Sequence, residues 1–391
     1  MITEEEARRK ILETIRMLPG RSVSLSEALD CFSGQDLVAR LPMPGFDNSA
    51  MDGYAVVASS CRTGERLRVI GEQPAGVDRG IRISRGEAAR IFTGAPIPVG
   101  ADAVVMQEDI TRDGAEIVVN VDIDPGDFIR RRGCDLAEGQ SILSKGERIR
   151  PGTVALLASQ GFDHATVGGD VNTALISTGD ELVKPGEKIK PGQIYETNST
   201  LLQALLKLCG ASVKLVEHCR DEREPLVGAI ERGTENHILI ITGGVSVGEH
   251  DLVQAALRSL GVKIDIWRVA IKPGKPFLFG QIGECAIFGL PGNPVSAFVT
   301  FLQFVRPAIL KMMGATDLDL SKVPAKLTVD VKNDGDRPHY VRGKLRHGNF
   351  TPVGRQESHA LFGLSQSNAL LRVGVGESLQ AGQIVDIQTW D

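Results

Sequence analysis

A chain of 391 residues is too long for one ordinary hydrophobic core, so about two to four domains are expected. The net charge of -5 describes a mildly acidic protein in which no Lys/Arg run exceeds the short Arg130–Arg132 cluster, which argues against nucleic acid as the main partner. Apolar stretches such as 297–305 fall short of the ~20 residues a membrane span needs, no apolar segment follows a basic start, and six cysteines show no metal-ligand spacing. A reduced, cytoplasmic setting with no membrane is the expectation.

Thr3 with Glu6 forms a capping box, and Ile11, Leu12, Ile15 and Leu18 mark the apolar stripe of a first helix reaching Pro19-Gly20. A second box, Ser24 with Glu27, predicts another short helix. Short β runs broken by glycine and proline fill 45–135, which reads as a β-rich insertion. The first domain is then discontinuous, with residues 1–44 and 136–170 pairing back on each other. Strands alternate with helices over 171–318 (TALIST, SVKLVEHC, HILIIT, AIFGL), predicting a doubly wound parallel α/β sheet with ligands outside the carboxyl ends of its strands. Residues 319–391 turn β-rich again and read as a small barrel or sandwich. The fold class is therefore α/β plus β, in several domains.

Three loops between Thr242 and Ala297 carry the strongest chemical signal. TGGVSVGEHD brings Gly243, Gly244 and Ser246 to a strand-to-helix turn, where free backbone N–H groups suit an oxyanion. IKPGKP holds Lys272 and Lys275 at fixed separation between prolines. GLPGNPVSA repeats the strand-turn-helix pattern with Pro291, Asn293, Pro294 and Ser296. Glu249 and Asp251 would repel a phosphate unless a divalent cation lies between, and Mg²⁺ is the natural candidate. Asp180, Glu181 and Asp221 recur at the same sheet edge, Asp221 serving equally well as the N-cap of the following helix. In the insertion, MPGFDNSAMDGYAV is dense in polar residues, and Arg130, Arg131 and Arg132 lie near Asp135. That arginine cluster is either a solvated face or a grip on a doubly charged ligand.

FDNSAMDGYAV, IFTGAPIP, IRRRGCD, STGDEL, TGGVSVGEHD, IKPGKP and LPGNPVSA, in this order, resemble the molybdopterin molybdenumtransferase family, which includes the E domain of gephyrin. The resemblance spans about residues 3–390, most loosely in the C-terminal part. It implies the last step of molybdenum cofactor assembly: adenylylated molybdopterin binds, molybdate is the second substrate, and the phosphoanhydride is hydrolysed with Mg²⁺ to release AMP. Asp221, Asp251 and Glu181 would then hold the metal. Ser296, Arg342 of YVRG and Ser358 of ESHALF match positions lining the family's molybdate pocket, and Asp52, Thr93, Arg130 and Asp135 match family positions in the insertion. A homodimer with composite active sites is also implied, together with transient contact with the upstream adenylyltransferase. Two other readings compete: an adenylyltransferase or related nucleotide hydrolase, which would lack the MDGYA insertion and β tail, and a gephyrin-type scaffold.

Overall fold

The computed structural model describes residues 1–244 and 252–390, and the chain divides into two compact units. One comprises Met1–Gln35, Lys145–Val154 and Asp163–Asp391; the other, Asp36–Ser144 and Ala155–Phe162.

Helix α1, Glu4–Thr14, opens the first unit with the expected capping box: the Glu6 N–H donates to Thr3 Oγ1, and the Thr3 N–H to Glu6 Oε2. It stops earlier than the apolar stripe suggested, because Ile15 turns extended and the Leu18 N–H donates to the Met312 carbonyl. The second box does not start a helix. Glu27 takes both the backbone N–H and the hydroxyl of Ser24, closing a turn after the strand Arg21–Ser24.

The central sheet contains β1 (Asn172–Thr178), β2 (Ser212–Cys219), β3 (Ile238–Thr242), β4 (Lys263–Arg268), β5 (Pro276–Ile282) and β6 (Cys285–Leu290), in the order β2-β1-β3-β6-β5-β4. The first four in that order are parallel, whereas β5 runs antiparallel to β6 and β4 antiparallel to β5, so the sheet is mixed. Helices α2 (Asn198–Leu208), α3 (Arg223–Gly233) and α4 (Leu252–Ser259) each bury a stripe at i, i+3, i+4: Leu202, Leu205 and Leu206; Leu226, Ala229 and Ile230; Val253, Ala256 and Leu257. Strand residues alternate between two cores. Leu175 and Ile240 join the α2 side, while Ala174, Ile176, Leu239 and Ile241 join the α3 and α4 side. That alternation is the double winding, and the direction of travel reverses between β1 and β3.

A helical run follows β6, as α5 (Pro294–Thr300), a π turn (Phe301–Val305) and α6 (Arg306–Met312). Pro307 supplies no N–H and its ring crowds the carbonyl four residues back, which accounts for the widened turn. Over Pro294–Met312 the run is long and apolar enough to cross a membrane, yet 89% of its apolar 18-residue window is buried inside the protein. Its apolar faces therefore serve the core. Phe277 of β5 packs on Phe304 with ring centroids 4.6 Å apart, and Phe298 meets Trp390 edge-on at 5.0 Å.

The C-terminal region closes into a barrel of five strands: β7 (Ser321–Leu327), β8 (His339–Arg346), β9 (Asn349–Pro352), β10 (Ala369–Val373) and β11 (Ile384–Thr389), in the order β7-β9-β8-β10-β11. Closure leaves no free strand edge. The second unit is built on a six-stranded sheet whose two central strands, Glu87–Ile91 and Arg66–Gln73, pair parallel, with Gly53–Val56 antiparallel on the other side of Glu87–Ile91. Tyr54, Val56, Leu67, Val105 and Ile117 pack in its core.

Replacing Phe304 with Ala should cost ~3–5 kcal/mol of stability, since the site is fully buried and its aromatic neighbour cannot collapse into the void. Urea unfolding of the variant against the unaltered chain measures it.

Candidate active site

Strands β1, β3 and β6 end in register, with Ser177 opposite Thr242 and Thr242 opposite Leu290, so three loops leave the sheet at one edge. A cavity of about 810 Å³ lies there, lined by Thr178, Thr242, Pro291 and residues of the neighbouring loops. Its size is that of a small-molecule site. The glycines allow the loops to crowd. Gly243 has φ +85°, and a Cβ there would lie 2.1 Å from the Thr178 carbonyl oxygen. Gly274 has φ +119°, and a Cβ would meet Thr300 Cγ2 at 2.5 Å. No other residue fits either place without displacing backbone or core.

Positive charge enters from Lys272, Lys275 and Arg337, all lining the cavity. Arg337 is pinned, donating from Nε to Asp336 at 3.0 Å and from Nη1 to the Ile271 carbonyl at 3.2 Å. The barrel is tied to the lysine loop by the Lys272 N–H to the Pro338 carbonyl and the Tyr340 N–H to the Lys272 carbonyl. On the opposite loop, Asn293 Nδ2 donates to Ser358 Oγ at 2.9 Å and the Val295 N–H donates to the Ser358 carbonyl. Asn198 fastens two strand ends together, its Nδ2 donating to Thr242 Oγ1 at 2.8 Å and to the Gly292 carbonyl at 2.7 Å.

Of the residues singled out in sequence, Glu181, Gly243, Lys272, Lys275, Pro291, Asn293, Pro294, Ser296 and Ser358 line this one cavity. Gly244 follows Gly243 without being part of the lining, while Ser246, Glu249 and Asp251 lie outside the described residues. Arg342 departs from expectation. It is 1% exposed and absent from the cavity wall, with Nη1 donating to the Ala360 carbonyl and Nη2 to those of Arg355 and Glu357. It shapes the segment that carries Ser358; the cation facing the cavity is Arg337. Nothing in the local pattern DRPHY distinguished Arg337 from a solvated arginine. Thr178 and Asn198 line the cavity as well, although the sequence reading did not single them out.

Asp221 is not an N-cap either. Helix α3 takes Glu222 at that position, and the Asp221 carboxylate accepts the Thr178 hydroxyl, while the Asp221 N–H donates to Asp180 Oδ1 at 3.3 Å. Among the described residues no three His, Cys, Asp or Glu side chains group as a metal site. The donor set still suits Mg²⁺, which is held by one or two carboxylates, waters and substrate phosphates: Glu181 lines the cavity and Asp221 is fastened to its neighbour Thr178.

In the second unit, Asp52 Oδ1 accepts both the N–H and the hydroxyl of Thr93, each at 2.8 Å. These two bonds hold the Asp52 carboxyl below its usual pKa range, so it stays anionic. Arg130 pairs backbone to backbone with Asn48, and Arg130 and Asp135 are exposed. Arg131 and Arg132 make ion pairs with Asp47 and Glu138.

These features define a multidomain α/β protein with a cleft at the carboxyl end of a doubly wound sheet, lined by Lys272, Lys275 and Arg337 together with Glu181, Glu196 and Glu357. Residues 2–161 match the MoeA N-terminal region (domain I and II), 174–311 the family described as "Probable molybdopterin binding domain", and 324–390 the MoeA C-terminal region (domain IV). A molybdopterin molybdenumtransferase of Haemophilus influenzae is 36% identical, covering 100% of this chain and 99% of its own, and a molybdopterin molybdenumtransferase 2 of Mycobacterium tuberculosis is 34% identical over 100% of both. The crystal structure of the molybdopterin biosynthesis moeA protein from Pyrococcus horikoshii OT3 superposes with a TM-score of 0.87 at 32% identity, covering 100% of both chains. The chain belongs to the molybdopterin molybdenumtransferase family.

Burial, with Lys272 and Arg342 nearby, lowers the His339 pKa from 6.5 to about 4. The unfolded chain therefore binds this proton more readily than the folded one. The contribution of neutral His339 to stability is complete above pH 6.5 and is lost as pH falls from there towards 4. His339→Gln should flatten the loss of unfolding free energy across that window, measured by urea unfolding at stepped pH.

Proposed function

We propose that this chain inserts molybdenum from molybdate into adenylylated molybdopterin and cleaves the phosphoanhydride with water, releasing AMP. The observation that carries this is the meeting of Lys272, Lys275 and Arg337 with Glu181 in one cavity, in a chain whose full length matches the family. Molybdate is a tetrahedral dianion and the phosphoanhydride carries charge at its centre, so both substrates need fixed cations in a partly enclosed space. Lys272 and Lys275, whose backbone the proline loop fixes, supply that charge. Ser296 and Ser358 offer hydroxyl or backbone donors to the oxyanion, and Asn293 fixes the Ser358 hydroxyl. Glu181, Asp221 and Asp251 would hold Mg²⁺, which when bound would neutralise the pyrophosphate and polarise the bond that breaks.

A homodimer with composite active sites, each taking Asp52, Thr93, Arg130 and Asp135 from the insertion of the other protomer, completes the reading. Transient contact with the upstream adenylyltransferase would deliver a labile substrate. The family match extends over both the insertion and the β tail, which favours this function over an adenylyltransferase or nucleotide hydrolase.

AMP release from adenylylated molybdopterin should require molybdate and should stop in excess chelator while the fold persists. Release at an undiminished rate without molybdate would sink the assignment. Lys275→Ala should raise the molybdate concentration needed for half-maximal rate by about tenfold, the scale of one charge-assisted hydrogen bond. An unchanged molybdate dependence would remove Lys275 from the site.

Mixing Asp52→Ala with Asp251→Ala tests the composite site. Random subunit exchange makes about half the dimers mixed, each with one intact site, so roughly a quarter of full activity should return. Activity that stays absent after exchange is verified would place each site within one protomer.

A further inference from the structure

The motif MDGYA in the second unit is arranged around one guanidinium. Its strand, Gly53–Val56, runs antiparallel to Glu87–Ile91 on one side and to Ala103–Met106 on the other, and Tyr54 stands directly opposite Arg90. Cross-strand partners share a face of the sheet. Arg90 Cζ lies 5.2 Å from the centroid of the buried Tyr54 ring and 5.1 Å from that of Phe92, two residues further along its own chain. A flat, delocalised cation suits two ring faces better than a compact ammonium does.

From between these rings Arg90 forks across two strands. Its Nη1 donates to the Gly53 carbonyl at 3.0 Å and its Nη2 to Gln107 Oε1 at 2.5 Å. The Gln107 N–H donates in turn to the Asp52 carbonyl at 3.1 Å. Two successive carbonyls, those of Asp52 and Gly53, are thus fixed by one side chain and by the residue it grips. Gly53 must be glycine, because a Cβ there would lie 2.0 Å from the Val105 carbonyl oxygen. The Asp52 carboxylate, held by both donors of Thr93, stays exposed at the end of this frame. The charge of Arg90 also favours its anionic form.

We propose that Arg90 is a positioning residue for Asp52: it fixes the backbone from which the exposed carboxylate is presented to substrate. The inference rests on the function proposed above, in which Asp52 belongs to the composite site. A misplacement of ~1 Å can cost about a hundredfold in rate, so an exposed group on a turn needs a rigid base.

Arg90→Lys keeps the charge but loses the fork, whereas Arg90→Gln keeps one donor and loses the charge. Both are compared with the unaltered chain in molybdate-dependent AMP release at varied molybdate. Each should lower kcat by about tenfold or more while half-saturating molybdate stays within about twofold, since Lys272 and Lys275 belong to the other unit. A general loss of folded protein cannot be mistaken for this when circular dichroism gives the folded fraction. Adding Arg90→Gln to Asp52→Asn should cost no further rate in single turnovers, because Arg90 acts through Asp52. A kcat within about twofold in both variants, or a further tenfold loss in the Asp52→Asn background, would overturn the proposal. If Arg90→Gln does not fold, Arg90→Lys decides. Should the unaltered chain release no AMP, the overall function fails on its own, and the Asp52 carboxyl carbon resonance, assigned by its loss in Asp52→Asn, still reads the positioning. Its titration midpoint should rise in Arg90→Gln as the anion loses its cation and its fixed frame, and an unmoved midpoint would count against Arg90.

Discussion

The structure of the first unit depends on burying one apolar helical run, Pro294–Met312. Most of it is enclosed, and neighbouring elements are arranged around it. Phe277 and Phe304 pack it against the sheet, Lys311 Nζ donates to the Leu12 carbonyl of the N-terminal helix, and Gln303 Nε2 reaches Gln388 of the barrel at 3.0 Å. Apolar burial at roughly 25 cal/mol per Å² outweighs any single polar contact in the unit. The same helix begins at Pro294 and Ser296 on the cavity wall. Core packing and site geometry are thus set by one element, and a shift along its axis would move Ser296 relative to the lysines.

Charge in this protein is placed by how each cation is satisfied. Arg342 is enclosed and donates to three carbonyls, so its role is to fold the segment 355–360 back on the barrel. Burying a guanidinium is tolerable only with such acceptors, and removing them would leave an unpaired charge in the interior. Lys272 and Lys275 instead line the cavity, together with Arg337, which Asp336 and the Ile271 carbonyl hold in place.

Much of this was legible in the sequence, and the failures have identifiable causes. The three loops could be read because glycine and proline carry positional meaning on their own: the backbone at Gly243 and Gly274 admits nothing else. Local signals without tertiary context misled. Thr3 and Glu6 cap a helix, whereas the same spacing at Ser24 and Glu27 closes a turn, since the chain there has just left a strand. The antiparallel pair β4 and β5 was missed because a lysine-rich loop separates two short runs, and the sheet is mixed for that reason. Arg337 and Arg342 look alike in sequence. Only burial and the carbonyls around Arg342 separate it, enclosed in the fold, from Arg337 on the cavity wall.

The ties between the barrel and the lysine loop bear on how the gene can be rearranged. Lys272 exchanges backbone hydrogen bonds with Pro338 and Tyr340, and Ser358 accepts from Val295 and Asn293, so one wall of the cleft is contributed by a region that matches its own family over 324–390. Modules of this kind are usually assumed to recombine freely. Here a chimera that joined this sheet to a foreign barrel would have to reproduce both seams in register. Exchange of the C-terminal region between relatives is therefore constrained to barrels that present the same backbone edge to Lys272 and the same hydroxyl to Asn293, whatever the rest of their surfaces do.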